Sequence, residues 1–221
     1  MNTARLAQLL EHAKLSSLSP DALEQFRTYL DLLLKWNSCL NLTAIRDPET
    51  ILRRHFVECI QCAQTFPELE NATLLDFGSG AGLPGIPIAI CRPDFHVTLA
   101  ESQRKKAAFL REVIRTLGLS AEVFDGRVEA LPENRQFAIV TLRAVDRMRE
   151  ACQAALPRVE GNGRILLFST RDKVDELKRT LPSIQWLKEI PSAGLEQGLL
   201  LIGERPASLS ETELFHVEHP S

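Results

Sequence analysis

The sequence predicts an α/β protein: a mostly parallel sheet with helices on both faces, a terminal antiparallel hairpin, and a helical extension in front. Three observations carry that reading. From residue 73 onward, short apolar runs alternate with helix-patterned segments, as in a sheet built from strand–helix–strand units. Glycines 78, 80, 82 and 85 follow the first run, where a strand turns into a helix and backbone can approach a ligand closely. The last two runs, 184–190 and 197–202, are joined through Pro191-Ser-Ala-Gly194. That link is far short of the dozen or so residues a parallel crossover needs, so the pair is antiparallel.

Each element follows from its own pattern. Arg5 to Leu15 places apolar residues at helical spacing, and Ser19-Pro20-Asp21 supplies a cap and a first-turn proline for a second helix. In that helix Leu23, Phe26, Tyr29, Leu30, Leu33 and Leu34 form one stripe ending near Trp36, and residues 37–42 break the period. Asp47-Pro48-Glu49 starts a third helix through about Gln64. Strands are predicted at 73–77, 96–101, 121–125, 137–142 and 163–169, with helices at 85–91, 103–117, 147–156 and 172–180. The chain therefore divides into an extension (1–66), a sheet domain (67–205) and a loose polar tail (206–221). His216 and His219 in the tail read as solvated or partner-bound rather than as a metal pair.

Composition narrows the function classes. With 221 residues, 44% hydrophobic and 25% charged, the chain is ordinary for a globular domain with an extension. No run approaches the roughly 18 apolar residues of a membrane helix. The first residues lack the apolar core and cleavage site of a secretory signal, so the expected location is the cytoplasm, without membrane contact. Five cysteines in mostly apolar contexts suit reduced thiols. Cys59 and Cys62 match CxxC, but no second pair or histidine cluster completes a metal site, and none is expected. Net charge is −3, so the whole chain is not drawn to nucleic acid. Even so, Arg46, Arg53, Arg54, Arg104, Lys105, Lys106, Arg143, Arg147 and Arg149 lie in or beside segments that bracket the glycine loop. That placement suits structured RNA, and equally suits solvated helix surfaces.

The glycine loop admits two cofactor classes. Gly80-Ala-Gly82-Leu-Pro-Gly85 satisfies the dinucleotide fingerprint, with Glu101 about 20 residues on. Against an NAD-dependent oxidoreductase stand prolines 84 and 87 at the helix start, and a single tyrosine, Tyr29, with no lysine four residues on. The terminal antiparallel hairpin also favours a methyltransferase sheet over a dinucleotide one. Under that reading Asp76 caps the first strand, Gly78 and Gly80 clear room for the methionine portion of S-adenosylmethionine, Asp76 and Gly82 count with them among the cofactor-binding residues, and Glu101 accepts from both ribose hydroxyls. After the third strand, Val128 packs on the adenine and Glu129 or its amide meets the exocyclic amine. The fold class is then a seven-stranded, Rossmann-like class I methyltransferase sheet. Bland alternatives remain: Asp76 as a loop acid holding amides, Glu101 as a solvated strand end, and 125–132 as an exposed turn.

The fourth strand ends in Thr141-Leu-Arg143-Ala-Val145 and lacks the Asn/Asp-Pro-Pro-aromatic signature that handles amino groups. A target with a ready in-plane lone pair, such as guanine N7, needs no deprotonation, so positioning supplies most of the catalysis. Arg143 is placed to hold the cofactor carboxylate, a guanine O6 edge or a phosphate, or to pair with a structural acid.

Taken in order and spacing, Asn41-Leu42-Thr43, Arg54-His55, Asp76-x-Gly78-x-Gly80-x-Gly82-Leu83-Pro84-Gly85-Ile86-Pro87, Arg127-Val128-Glu129 and Arg143-Ala144 resemble the RsmG (GidB) family of bacterial small-subunit ribosomal RNA methyltransferases. The resemblance spans about residues 25 to 205, and Gly-Leu-Pro-Gly-Ile-Pro is its most specific piece. It implies methyl transfer from S-adenosylmethionine to N7 of one guanosine in 16S rRNA, with 16S rRNA or the 30S subunit as partner and the protein acting as a monomer. It places Gly78, Leu83, Val128, Glu129 and Arg143 at the cofactor, with Glu101 where aspartate is common. It also implies catalytic roles for Arg143, His55 and Asn41, and RNA contacts from Thr43, Arg46, Arg54 and Arg147. One departure stands out: Phe168-Ser169-Thr170-Arg171 occupies the place of the usual Lys-Gly pair, so Arg171 or Lys173 must substitute. A non-catalytic RNA-binding or chromosome-partition-associated protein that keeps the pocket for folding is the reading from another class.

Overall fold

The computed structural model of the chain describes residues 3–66, 68–145 and 147–207; most of the predicted tail, with His216 and His219, lies outside them. Seven strands form one sheet: β1 (Thr73–Phe77), β2 (His96–Glu101), β3 (Ala121–Asp125), β4 (Phe137–Arg143), β5 (Val159–Thr170), β6 (Gln185–Pro191) and β7 (Gly198–Glu204). Their order is β3-β2-β1-β4-β5-β7-β6. The first five run parallel, and β7 is antiparallel to both β5 and β6.

Strand periodicity sorts the side chains into two cores. Leu74, Ile139, Leu166 and Ile202 point to one face, and their neighbours Leu75, Val140, Leu167 and Leu201 to the other. The first face is covered by α1 (Thr3–His12), α2 (Pro20–Leu40), α3 (Pro48–Ile51), α4 (Val57–Ala63), α5 (Gly85–Cys91) and α6 (Arg104–Leu117). On the second lie α7 (Met148–Ala155) and α8 (Val174–Thr180). Helix α2 begins as its sequence dictates: Ser19 Oγ accepts from Ala22 N at 3.2 Å, and Pro20 occupies the first turn. No described helix is long and apolar enough to cross a membrane.

Three departures from the predicted elements have physical causes. Helix α2 runs past Trp36 to Leu40, because polar Asn37 is buried and its Oδ1 accepts from Thr43 N at 2.9 Å. The third predicted helix is continuous but contains a π turn, Leu52–Phe56, between α3 and α4. Strand β5 starts before Gly163, at Val159, and its pairing with β4 shifts register around Gly161-Asn162-Gly163, with Asn162 at φ 64°.

Candidate active site

Strand order reverses between β1 and β4, and crevices for ligands in such sheets open at the carboxyl ends of those strands. A cavity of about 420 Å³ lies there. Its wall comes from the turn after β1 (Gly78 to Ala81, and Leu83), the end of β2 and start of α6 (Glu101, Gln103, Lys106), the turn after β4 (Arg143 to Val145), and the extension (Leu42, Thr43, Ala44, His55).

The glycine turn is held from beneath. Asp76 is 1% exposed, and its carboxylate accepts from Thr141 Oγ1 at 2.9 Å and from Gly85 N at 3.2 Å. Burial pushes this carboxyl up to about 6, against the pull of those hydrogen bonds. The buried Tyr29 hydroxyl donates to Ala81 O at 2.6 Å, tying α2 to the turn. Gly78 and Gly80 take φ of 68° and 54° and line the cavity. Two predicted contacts are corrected here. Asp76 does not line the cavity: its Oδ2 serves the turn through Gly85 N, and its Oδ1 holds the neighbouring strand β4 through Thr141. Gly82 faces the core instead, where an added Cβ would lie 2.6 Å from Ile86 Cγ1 and 3.2 Å from the Tyr29 hydroxyl.

Glu101 Oε2 accepts from Gly80 N at 2.9 Å and Oε1 from Gln103 N at 2.7 Å. Each oxygen keeps a lone pair, so the carboxylate can take two hydroxyls from a ligand in the cavity. Val128 and Glu129 do not line that cavity. The Val128 side chain is packed in the second core beside Leu131 and Phe137, so its predicted side-chain contact with the adenine is corrected. The turn that carries the pair does start next to Glu101, whose carbonyl accepts from Gly126 N at 3.1 Å.

At the opposite wall a polar chain crosses the layers. Arg143 donates through Nε and Nη2 to Glu58 Oε2 at 3.1 and 2.9 Å, and through Nη2 to His55 Nδ1 at 2.8 Å. With Nδ1 accepting, the neutral ring carries its proton on Nε2, which donates to Thr43 Oγ1 at 3.1 Å. Burial first, then the Arg143 guanidinium, lower His55 to about 4. The ring is therefore uncharged at neutral pH. Arg143, His55 and Thr43 thus meet at one wall of the cavity. Asn41 does not join them: it is the exposed left-handed cap of α2, at φ 48°, and accepts from Arg46 Nη2 at 3.3 Å. Its predicted catalytic role is corrected, since Asn41 is exposed, serves as the helix cap and does not line the cavity.

Arg54 and Arg147 are exposed, and neither lines the cavity. Arg147 lines a neighbouring groove of about 580 Å³, with Phe168, Ser169, Thr170 and Lys173, and this groove shares Ala144 and Val145 with the cavity. Sequence reasoning missed Glu58, Ser192 and Gln103. For Glu58 a signal existed: a lone carboxylate within the apolar run Phe56 to Ile60, three residues after His55.

The residues present fit an adenosyl-type ligand. Cavities of this size hold such molecules, and a Cβ on Gly80 would meet nothing within 4 Å except Gly78 O at 3.8 Å, so the backbone leaves open space there. A parallel sheet reversed only at its last strand pair, with that cradle above its first strand, places the protein among class I methyltransferases. Solved structures share the fold: P. horikoshii TYW2 in complex with MeSAdo (TM-score 0.56, 16% identity, 67% of this chain and 61% of that one), and the YcgJ protein of Bacillus (TM-score 0.56, 13% identity, 69% and 99%). The family model for rRNA small subunit methyltransferase G (GidB) matches residues 22–196, and the chain belongs to that family. Curated proteins of that name include one from Chloroflexus aggregans, 38% identical over 94% of this chain and 88% of its own length. Another, from Roseiflexus, is 39% identical over 85% and 79%. Membership in this family, together with the reversed terminal strands, sets aside the oxidoreductase reading.

Proposed function

We propose that the protein transfers the methyl group of S-adenosylmethionine to N7 of a guanosine in 16S rRNA of the small subunit, in the cytoplasm. The observation that carries this is the pairing of a glycine-cradled, Glu101-bearing cavity with an adjoining groove lined by Arg147, Arg149 and Lys173, in a chain of this family. Arg53, Arg54, Arg104, Lys105, Arg147, Arg149, Arg171 and Lys173 are all exposed and hold no ion pair among the described residues. Arg5, Arg27, Arg92, Arg111, Arg135 and Arg164 are paired with acids, while Lys14, Lys35, Arg115, Arg127 and Arg179 are also exposed without an ion pair among the described residues. Of the unpaired cations, Arg147, Arg149 and Lys173 line the groove that adjoins the cavity, and there they suit an RNA backbone.

The cofactor supplies an electrophilic methyl group on a sulfonium. This chain's residues bind and orient. Glu101 takes the ribose hydroxyls, Gly78 and Gly80 admit the methionine portion, and the Val128-Glu129 turn borders the adenine. Neither His55 nor Glu101 is left as a base: His55 is neutral with Nδ1 already accepting from Arg143, and the free lone pairs of Glu101 are taken by the ribose hydroxyls. Guanine N7 attacks through a free lone pair, so the lack of a base suits this target. The groove beside Val145, with Arg147 and Lys173, serves the RNA side and takes over from the missing Lys-Gly pair.

Mass spectrometry of nuclease-digested 16S rRNA from a strain lacking the gene, with and without its restoration, tests the proposal. One N7-methylguanosine is expected to vanish and return with the gene. An unchanged modification pattern would overturn the substrate and favour a binding protein that keeps the pocket.

A further inference from the structure

Glu58 sits one layer behind the cavity wall on α4, 7% exposed among apolar neighbours. A buried carboxylate is costly unless it is compensated. Its Oε2 takes the Nε and Nη2 donors of Arg143 at 3.1 and 2.9 Å, and its Oε1 accepts from Ser192 Oγ at 2.8 Å. Helix, sheet and the β6–β7 turn therefore converge on one acid.

Two consequences follow. The Nε/Nη2 edge of Arg143 is fixed, with His55 Nδ1 taking a further Nη2 hydrogen, while Nη1 has no partner among the described residues of this cavity wall. The pair is also electrically neutral. S-adenosylmethionine is cationic at sulfur, and a guanine methylated at N7 is cationic in its imidazole ring. An uncompensated guanidinium beside either would oppose it in a low-dielectric pocket. The neutral His55 ring adds no charge of its own.

We propose that Glu58 is a positioning residue that holds Arg143 edge-on behind the cavity and neutralises it, so that the site accepts the cationic sulfonium. This rests on the cofactor reading above. The test is isothermal calorimetry of the full chain with S-adenosylmethionine and with S-adenosylhomocysteine, which lacks the methyl group and its charge.

Glu58→Gln keeps the shape and an acceptor but removes the charge. It is expected to raise Kd for S-adenosylmethionine about tenfold more than Kd for S-adenosylhomocysteine. Glu58→Asp, which restores the charge, should keep most of the wild-type ratio. The double variant Glu58→Gln, Arg143→Met removes both charges and should return the ratio to within about threefold of wild type. Equal weakening of both ligands in Glu58→Gln is what a merely structural role gives, and it overturns the proposal. If Glu58→Gln does not fold, Arg143→Met measured from pH 6 to 9 decides: the uncompensated carboxylate is protonated at the low end, its ionisation must shift preference toward S-adenosylmethionine as pH rises, and a ratio unchanged across that range overturns the proposal. Wild-type protein that binds neither ligand would sink the cofactor reading as well, whereas normal wild-type binding with unmoved ratios sinks only the role of Glu58.

Discussion

At His55 burial and charge act in the same direction, and the result is a stability switch rather than a proton carrier. Its folded-state value is lowered from 6.5 to about 4, by burial first and by Arg143 second. A lowered histidine contributes stability that is present above 6.5 and lost as pH falls through 4. Asp76 has the opposite sign. Its value is raised from 3.8 to about 6 by burial, so its contribution is present below 3.8 and lost as pH rises through 6. The two slopes oppose each other between about pH 4 and 6 and partly cancel. His55→Gln should remove the rising component, so that the variant loses stability relative to wild type progressively from pH 4 to 6.5, by at most about 3 kcal/mol. Urea unfolding at several pH values reads this directly. A gap between variant and wild type that does not change with pH would contradict the assignment of the neutral ring.

The glycine-rich turn shows what a motif conveys and what it hides. Its place after β1 is legible because only glycine reaches the left-handed backbone without strain. Which glycine faces the ligand is not legible, since the letters are identical and only packing tells them apart. Gly80→Ala meets open space and carries only the strain of a left-handed alanine, about 1 kcal/mol, while its Cβ enters the cavity. Gly82→Ala places a Cβ 2.6 Å from Ile86 Cγ1 and 3.1 Å from Leu110 Cδ2, also at positive φ, and should lose about 2–4 kcal/mol. Cofactor calorimetry beside thermal unfolding is expected to separate the two. Gly80→Ala should weaken binding with little loss of fold, and Gly82→Ala should lose both. Equal unfolding losses would mean that the two glycines are packed alike. The π turn Leu52–Phe56 was equally hidden: its apolar spacing reads as an ordinary helix, yet it carries Phe56 into a stack on Tyr29 at 5.1 Å while the adjacent His55 reaches the cavity.

Over the whole molecule, the extension is part of the sheet's own core. Leu6, Leu10, Phe26, Tyr29, Leu30 and Leu33 share one apolar cluster with Leu74, Leu99 and Phe109. Removing residues 1–40 should therefore expose that sheet face and abolish a single cooperative unfolding transition, as followed by circular dichroism and calorimetry. A truncated chain that still melts sharply and binds the cofactor would show the extension to be separable. The sequence by itself determined the strand–helix alternation, the reversed last hairpin, the glycine turn and the acid after β2. Each of these is written in local periodicity, turn chemistry or connection length, which act over a few residues. Only the tertiary structure decided that Asp76 and Gly82 serve the fold, that Asn41 caps a helix, and that Glu58 and Ser192 stand behind Arg143. Those partners are up to 134 residues apart, and the hydrogen bonds that select them exist only once the layers have packed.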